Sequence, residues 1–135
     1  MKTLRLEIVT PEAKAYSEDA EMVVLPGTDG ELGVYPNHVP VLTTLKPGEL
    51  RVIKGGRETS LAVGEGFAEI TGDSISVLTD MALQSSAIDE QAAEEAVARA
   101  KAAMEGDLVA DEVTAVQASL QKALAQLHVK RRHRH

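Results

Sequence analysis

"LPGTDGELGVYPNHVPVLTTLKPGEL", residues 25–50, sets short apolar runs between glycines, prolines, acids and a single histidine. Gly27, Gly30 and Gly33 recur every third residue, a spacing that fits neither GxGxxG nor GxxxxGK[ST]. No helical segment follows to offer its N-terminus to a phosphate. "PG", "DG" and "PG" are instead turn dipeptides, and "ELGVY" and "VPVLTTL" between them read as strands. Pro36 and Pro40 belong at strand edges, where a missing N–H is harmless. The stretch is the punctuation of a β fold.

A period of two extends over the first 80 or so residues on both sides of it. Leu4, Leu6 and Ile8 share one face of an opening strand with Arg5 and Glu7 on the other. "ELRVI", "TSLAV", "FAEI" and "SISVL" repeat the pattern, separated by Gly55-Gly56 and Gly72-Asp73 as two-residue hairpin turns. Many short strands with turn glycines predict an antiparallel sandwich or barrel of about ten strands. With no helix between the strands, a parallel βαβ sheet is not expected.

After residue 85 glycine and proline almost vanish and alanine takes over. Asp89 caps a predicted helix, "EQAAEEAVARAKAAME", that Gly106 ends. A second helix starts near Asp111 with Val113, Val116, Leu120, Leu124 and Leu127 as its apolar stripe. The short connection predicts an antiparallel hairpin, so the domains are a β-sandwich over 1–85 and an αα hairpin over 86–135. The first helix offers mostly Ala92, Ala93, Ala96, Ala100 and Ala103, with Val97 and Met104 larger. Each Ala in place of Leu gives up about 2 kcal/mol of burial, at roughly 0.8 kcal/mol per methylene. Such a hairpin is intrinsically helical but weakly glued, which suits detachment as well as close permanent packing.

Composition narrows the chemistry. The 135 residues contain no cysteine, hence no disulfide framework, thiol nucleophile or Cys-type zinc site. No apolar run approaches the length of a membrane helix, so no membrane insertion is expected. "MKTLRLEIV" alternates where a signal peptide would be continuously apolar. The net charge of −7 argues against nucleic acid as a partner, and three aromatic residues supply no stacking platform. Residues 1–85 and 86–112 each carry a net −6, whereas residues 113–135 hold five basic residues and no acid. That basic end fits an acidic surface inside or outside the molecule; acids at helix starts and bases at helix ends would also follow from the macrodipole.

No catalytic constellation emerges. His38 has no Ser, Cys or second His nearby, and Glu31 reads as an exposed tip acid. His128, His133 and His135 lie on or beyond the basic helix end without an acid or cysteine beside them in sequence, so no metal site is expected. On residues alone, one reading is a free-standing β-sandwich adaptor whose basic helix binds an acidic protein.

"GTDGELGVYPNHVPVLTTLKPGELRV" resembles the signature G-x-x-G-E-L-G-[IV]-x-P-x-H-x-P-[LV]-[LV]-T-x-[LIV]-x-P-G of the epsilon subunit of F-type ATP synthases. "VTPE", the "AID" helix start and "ALAQLHV" extend the likeness over essentially the whole chain. The resemblance implies a non-catalytic rotor-stalk subunit, a ten-stranded sandwich with an αα hairpin, joining the gamma subunit to the c-subunit ring. It implies that Glu31 faces the c ring and that His38 and Thr43 lie toward gamma. It implies that the hairpin either folds against the sandwich or extends along gamma into the catalytic head, the extended form setting Lys122, Lys130, Arg131, Arg132 and Arg134 against the alpha and beta subunits and blocking ATP hydrolysis. The implied location is peripheral, at the cytoplasmic face of a bacterial inner membrane. Some relatives bind ATP through [IL]-D-x-x-R-A; here Asp89 is present and Arg99 remains, but Ala92 stands at the motif arginine, so no cofactor is expected. Asn37 replaces a glycine common in relatives, a position that tolerates left-handed backbone.

Overall fold

The computed structural model describes residues 2–133. Ten strands come first: β1 (Leu4–Val9), β2 (Lys14–Ala20), β3 (Met22–Gly27), β4 (Gly30–Val34), β5 (His38–Leu45), β6 (Gly48–Lys54), β7 (Arg57–Val63), β8 (Gly66–Gly72), β9 (Ser74–Thr79) and β10 (Ala82–Gln84). A single 3-10 turn, Ser85–Ala87, leads to α1 (Glu90–Met104) and α2 (Ala110–Arg132). The hydrogen-bonded order is β10-β7-β6-β3-β5-β8-β9-β1-β2, with β4 paired to β3. The sheet folds over at β3–β5, where the one ladder pair is Gly27 with Leu45, so its two halves face each other as a sandwich.

Alternation decides what lies between the layers. Leu4, Leu6 and Ile8 are at most 1% exposed, and Val23, Leu25, Leu50, Leu61, Ile70 and Val77 join them in one apolar cluster. Arg5, on the other face, reaches Asp19 at 3.4 Å and Ser17. Both predicted hairpin turns form. Gly55 and Gly56 join Lys54 to Arg57 with φ of 59° and 75°, and Gly72, φ 46°, opens the turn between Thr71 and Ser74. Positive φ at both central residues gives the turn a twist matching that of its strands.

One pairing is parallel: β1 lies beside β9, Leu6 opposite Ile75 and Ile8 opposite Val77. No crossover helix is needed, because the chain returns through seven intervening strands before β9 closes on β1. Gly66 marks a close backbone approach, where a Cβ would come 1.9 Å from the Leu78 carbonyl oxygen.

Asp89 caps α1 by accepting from the Ala92 N–H at 3.1 Å. α2 follows a turn of five residues, 105–109, and packs back along α1. Ala93 and Val97 meet Ala123 and Leu127, flanked by Ala96 and Leu120. Leu124, expected in this stripe, is 38% exposed. The reason is a second face on α2, where buried Ala125 and Val129 lie between partly exposed Lys122 and exposed Arg132 at steps of three and four; it turns toward β6 and β7 and leaves Leu124 at the margin.

Substituting Gly66→Ala forces backbone against backbone, so a loss of about 1–3 kcal/mol is expected; urea unfolding followed by circular dichroism should show a lower midpoint with an unchanged slope.

Candidate functional site

The basic end of α2 meets acids of its own chain. Arg132 lies between two strands, its Nη2 at 2.8 Å from Glu49 Oε2 of β6 and 2.7 Å from Glu58 Oε2 of β7. His133 Nε2 lies 3.0 Å from the same Glu49 oxygen, and His128 Nε2 is 3.9 Å from the other. One turn earlier, Val129, fully buried, covers Ala62 and Ile88 with Met81 and Leu83 beside them. Lys130 Nζ donates to the Ser85 carbonyl at 3.1 Å, and Lys122 pairs with Asp80 at 3.5 Å. Arg131 points the other way and bridges Glu90 at 3.1 Å and Glu94 at 2.7 Å on α1. Arg131 thus closes the hairpin on itself, while Lys122, Lys130 and Arg132 fasten it to the sandwich. Arg134 lies outside the described residues.

Glu49 and Glu58 were missed as site residues in the sequence because each looks like an ordinary outward strand acid. Outward positions on β6 and β7 are what α2 covers: Glu49 stands opposite Ala62, Arg51 opposite Ser60 and Ile53 opposite Glu58. Glu49 keeps 9% of its side chain exposed. Burial pushes its carboxyl up, but hydrogen bonds from Arg132, His133 and Ser60, with the Arg132 charge, outweigh that and hold it below the ordinary range. For Glu58 the Arg132 hydrogen bond is the largest influence and likewise lowers it, against some burial. The same two carboxylates raise Arg132.

Docking energy is modest. Half-exposed ion pairs such as Lys122 with Asp80 contribute about 0–1 kcal/mol each, the pair at buried Glu49 offsets its Coulombic gain with desolvation, and burying one valine contributes roughly 1.5–3 kcal/mol. The latch is therefore an electrostatic clasp around a small apolar contact.

The other predicted residues sit elsewhere. Glu31, on β4, is 65% exposed in its side chain and lies 3.5 Å from Arg51 of β6. His38 and Thr43 share β5, and a bulge between His38 and Val41 restores their phase: His38 pairs with Gly72, Val41 with Ile70 and Thr43 with Ala68, so both fall on one face. His38 Nδ1 is 2.7 Å from the Val39 carbonyl oxygen, and Asn37 before it adopts φ 67°. Asp89 is occupied in capping, and Arg99 lies ten residues further on, about 15 Å along the helix at 1.5 Å per residue. The two do not converge. Arg99 borders a 450 Å³ groove between the helices, lined by Ala96, Ala100, Ala103, Val116 and Ser119. On the sandwich face away from α2, Thr44, Phe67, Leu78 and Val9 form a cross-strand row over β5, β8, β9 and β1. Phe67 and Leu78 are each 46% exposed, and Leu42 is 70% exposed.

Because the Glu49 and Glu58 carboxyls are depressed in the docked state, their contribution is fully present above the ordinary glutamate value, about 4.3, and is lost as pH falls through the depressed values. Fluorescence transfer between labels on α2 and the sandwich should report docking retained from pH 7 to pH 5 and lost in more acid solution; the E49Q/E58Q double variant should lack that acid limb.

Comparison with known proteins matches this architecture over nearly its full length. The family model "ATP synthase, Delta/Epsilon chain, beta-sandwich domain" covers residues 3–85, and "ATP synthase, Delta/Epsilon chain, long alpha-helix domain" covers 86–131. The ATP synthase epsilon chain of Laribacter hongkongensis is 45% identical over 129 residues, 94% of this chain and 92% of that one. That of Dehalococcoides mccartyi is 40% identical over 135 residues, 99% and 96% of the two chains. Among solved structures, a chain of the Euglena gracilis mitochondrial ATP synthase OSCP/F1/c-ring assembly superposes with a TM-score of 0.79 at 21% identity, over 95% of this chain and 81% of that one, a likeness of fold. With both halves matched in order and relatives aligned nearly end to end, the chain belongs to the ATP synthase delta/epsilon chain family.

Proposed function

We propose that this chain is a non-catalytic subunit of the rotor stalk of an F-type ATP synthase, with the sandwich over 1–85 as anchor and the hairpin over 86–135 as a releasable brake on ATP hydrolysis. The observation that carries the reading is the latch. α2 is fastened to the sandwich by Arg132 on Glu49 and Glu58 and by the small Ala62, Ile88, Val129 contact, a combination that ordinary free energies of association can open. Once released, the cations of α2 are free to pair with acids on another protein. Relatives that carry the name ATP synthase epsilon chain support the same assignment.

In this reading the outward apolar residues Val9, Leu42, Phe67 and Leu78 seat the gamma subunit, while His38 and Thr43, on the other face of β5 with Val41, meet gamma at the edge of that strand. Among the described residues β5 pairs with β3 at Leu45 alone, so its earlier residues present an open edge. Glu31, at an exposed tip, meets the c ring. Released cations Lys122, Lys130, Arg131 and Arg132, with Arg134 after them, contact the alpha and beta subunits. No helix among the described residues is long and apolar enough to cross a membrane; attachment runs through the complex, at the cytoplasmic face of a bacterial inner membrane. No ATP site is assigned, since Asp89 already caps α1 and Ala92 offers no guanidinium.

The test is ATP hydrolysis by a reconstituted alpha-beta-gamma head. A chain truncated after Ser86 should bind without inhibiting. E49Q/E58Q, which opens the clasp while leaving every cation of α2 in place, should inhibit severalfold more strongly than the parent; equal inhibition would mean that detachment is not the step that sets the brake. Calorimetric titration of the isolated chain with ATP should give no isotherm in the micromolar range, and a clear one would restore a nucleotide site.

A further inference from the structure

Arg51 stands between the exposed tip acid and the clasp. β3 separates β4 from β6, with Pro26 opposite Glu31 on one side and Val24 opposite Arg51 on the other. Arg51 is therefore diagonal to Glu31, its Nη2 3.5 Å from Glu31 Oε2, while its Nη1 lies 3.6 Å from Glu58 Oε1. The second oxygen of Glu58 accepts from Arg132 at 2.7 Å. Charges thus alternate in a continuous line, Glu31, Arg51, Glu58, Arg132, Glu49, running from the tip to the helix that can leave.

The line is short of cations. Three carboxylates, Glu31, Glu49 and Glu58, share two guanidiniums, with His133 beside Glu49 and Glu58 and His128 at the far oxygen of Glu49. When α2 departs it takes Arg132 and both histidines with it, leaving Arg51 as the cation that stays with Glu58. How readily α2 departs then depends on how far Arg51 is committed to Glu31. With Glu31 satisfied elsewhere, Arg51 turns wholly to Glu58, relieves the carboxylates that α2 abandons and competes with Arg132 for the oxygens it occupies.

We propose that Arg51 couples capture of Glu31 by a cationic group of a partner to release of the hairpin. The idea rests on the reading of a detachable hairpin and a partner-facing Glu31, and adds to it the residue that makes the two events communicate. Linkage requires reciprocity: an undocked hairpin leaves Arg51 drawn to Glu58 and Glu31 freer to bind the partner's cation. Like-charge proximity of Arg51 and Arg132 around Glu58 acts in the same direction, since any extra cation at Glu58 weakens the hold of Arg132.

The isolated full chain suffices for the test, because it has no native cysteine. Ala62→Cys, fully buried beneath Val129, reports hairpin release through the rate of thiol modification by a small disulfide reagent. Ala68→Cys, equally buried but within the sandwich core, reports opening of the sandwich itself. Glu31→Gln, imitating a captured Glu31, should speed labelling of the Ala62→Cys reporter about threefold, the scale of one exposed ion pair, without changing that of Ala68→Cys. Arg51→Gln should slow it, and Glu31→Gln added to Arg51→Gln should change nothing further. An equal effect of Glu31→Gln in both backgrounds would overturn the coupling while leaving the detachable hairpin intact. Labelling of Ala62→Cys no faster than Ala68→Cys in every variant would overturn the detachable hairpin itself, and the coupling with it.

Discussion

Arg132 is the residue on which the arrangement of the two halves depends. One guanidinium serves Glu49 and Glu58 from adjacent strands, and its planar set of donors is what allows that division. A lysine would bring three donors on one nitrogen but no planar fork to hold the two carboxylates in fixed directions. The pair of acids in turn exists because β6 and β7 are joined by a two-residue turn that fixes their register, setting residues 49, 51 and 53 opposite 62, 60 and 58 on the outer face. A one-residue slip of either strand would turn its acid inward and its core leucine outward, Glu49 and Leu50 on β6 or Glu58 and Leu61 on β7, so core and clasp are fixed by the same turn.

The clasp also explains why the hairpin contains so little large apolar surface. A leucine-rich face on α1 and α2 would bind the sandwich too firmly to release, and would leave an aggregating surface once released. Alanine makes helices that survive without a partner, since its side chain loses no rotamer freedom. The Asp89 cap holds α1 in helical form, and the Arg131 bridges to Glu90 and Glu94 tie the helices to each other. These links do not involve the sandwich, so in the proposed release the hairpin would leave as a unit rather than turn by turn.

Much of this was legible in the sequence. Alternation placed Leu4, Leu6 and Ile8 in the core, paired glycines marked the turns, and Asp89 announced its helix, because each is a local rule acting over a few residues. Non-local facts were not legible. The parallel β1–β9 pair joins strands at opposite ends of the sandwich sequence, and the bulge after His38 leaves no mark beyond Pro40, so that simple alternation would set His38 and Thr43 on opposite faces when they share one. The second face of α2 escaped because Lys122, Ala125, Val129 and Arg132 are two cations and two small residues, a weak stripe beside the leucines. A signal did exist in the charges, a net −6 over residues 1–85 against +5 over 113–135, and the structure meets that imbalance within one chain.

Cations already paired with the chain's own acids can be offered to a second acidic surface at small net cost, because the exchange trades one set of ion pairs for another rather than stripping bare charges of water. What biases such an exchange is geometry: how many carboxylates each site offers, and how many other cations compete for them. At the docked site the competitor is Arg51, held partly away by Glu31. The hairpin's resting position is therefore decided by a residue whose ion pairs lie wholly within the sandwich, and an acid at the tip of β4 belongs to the same electrostatic unit as the last turn of α2.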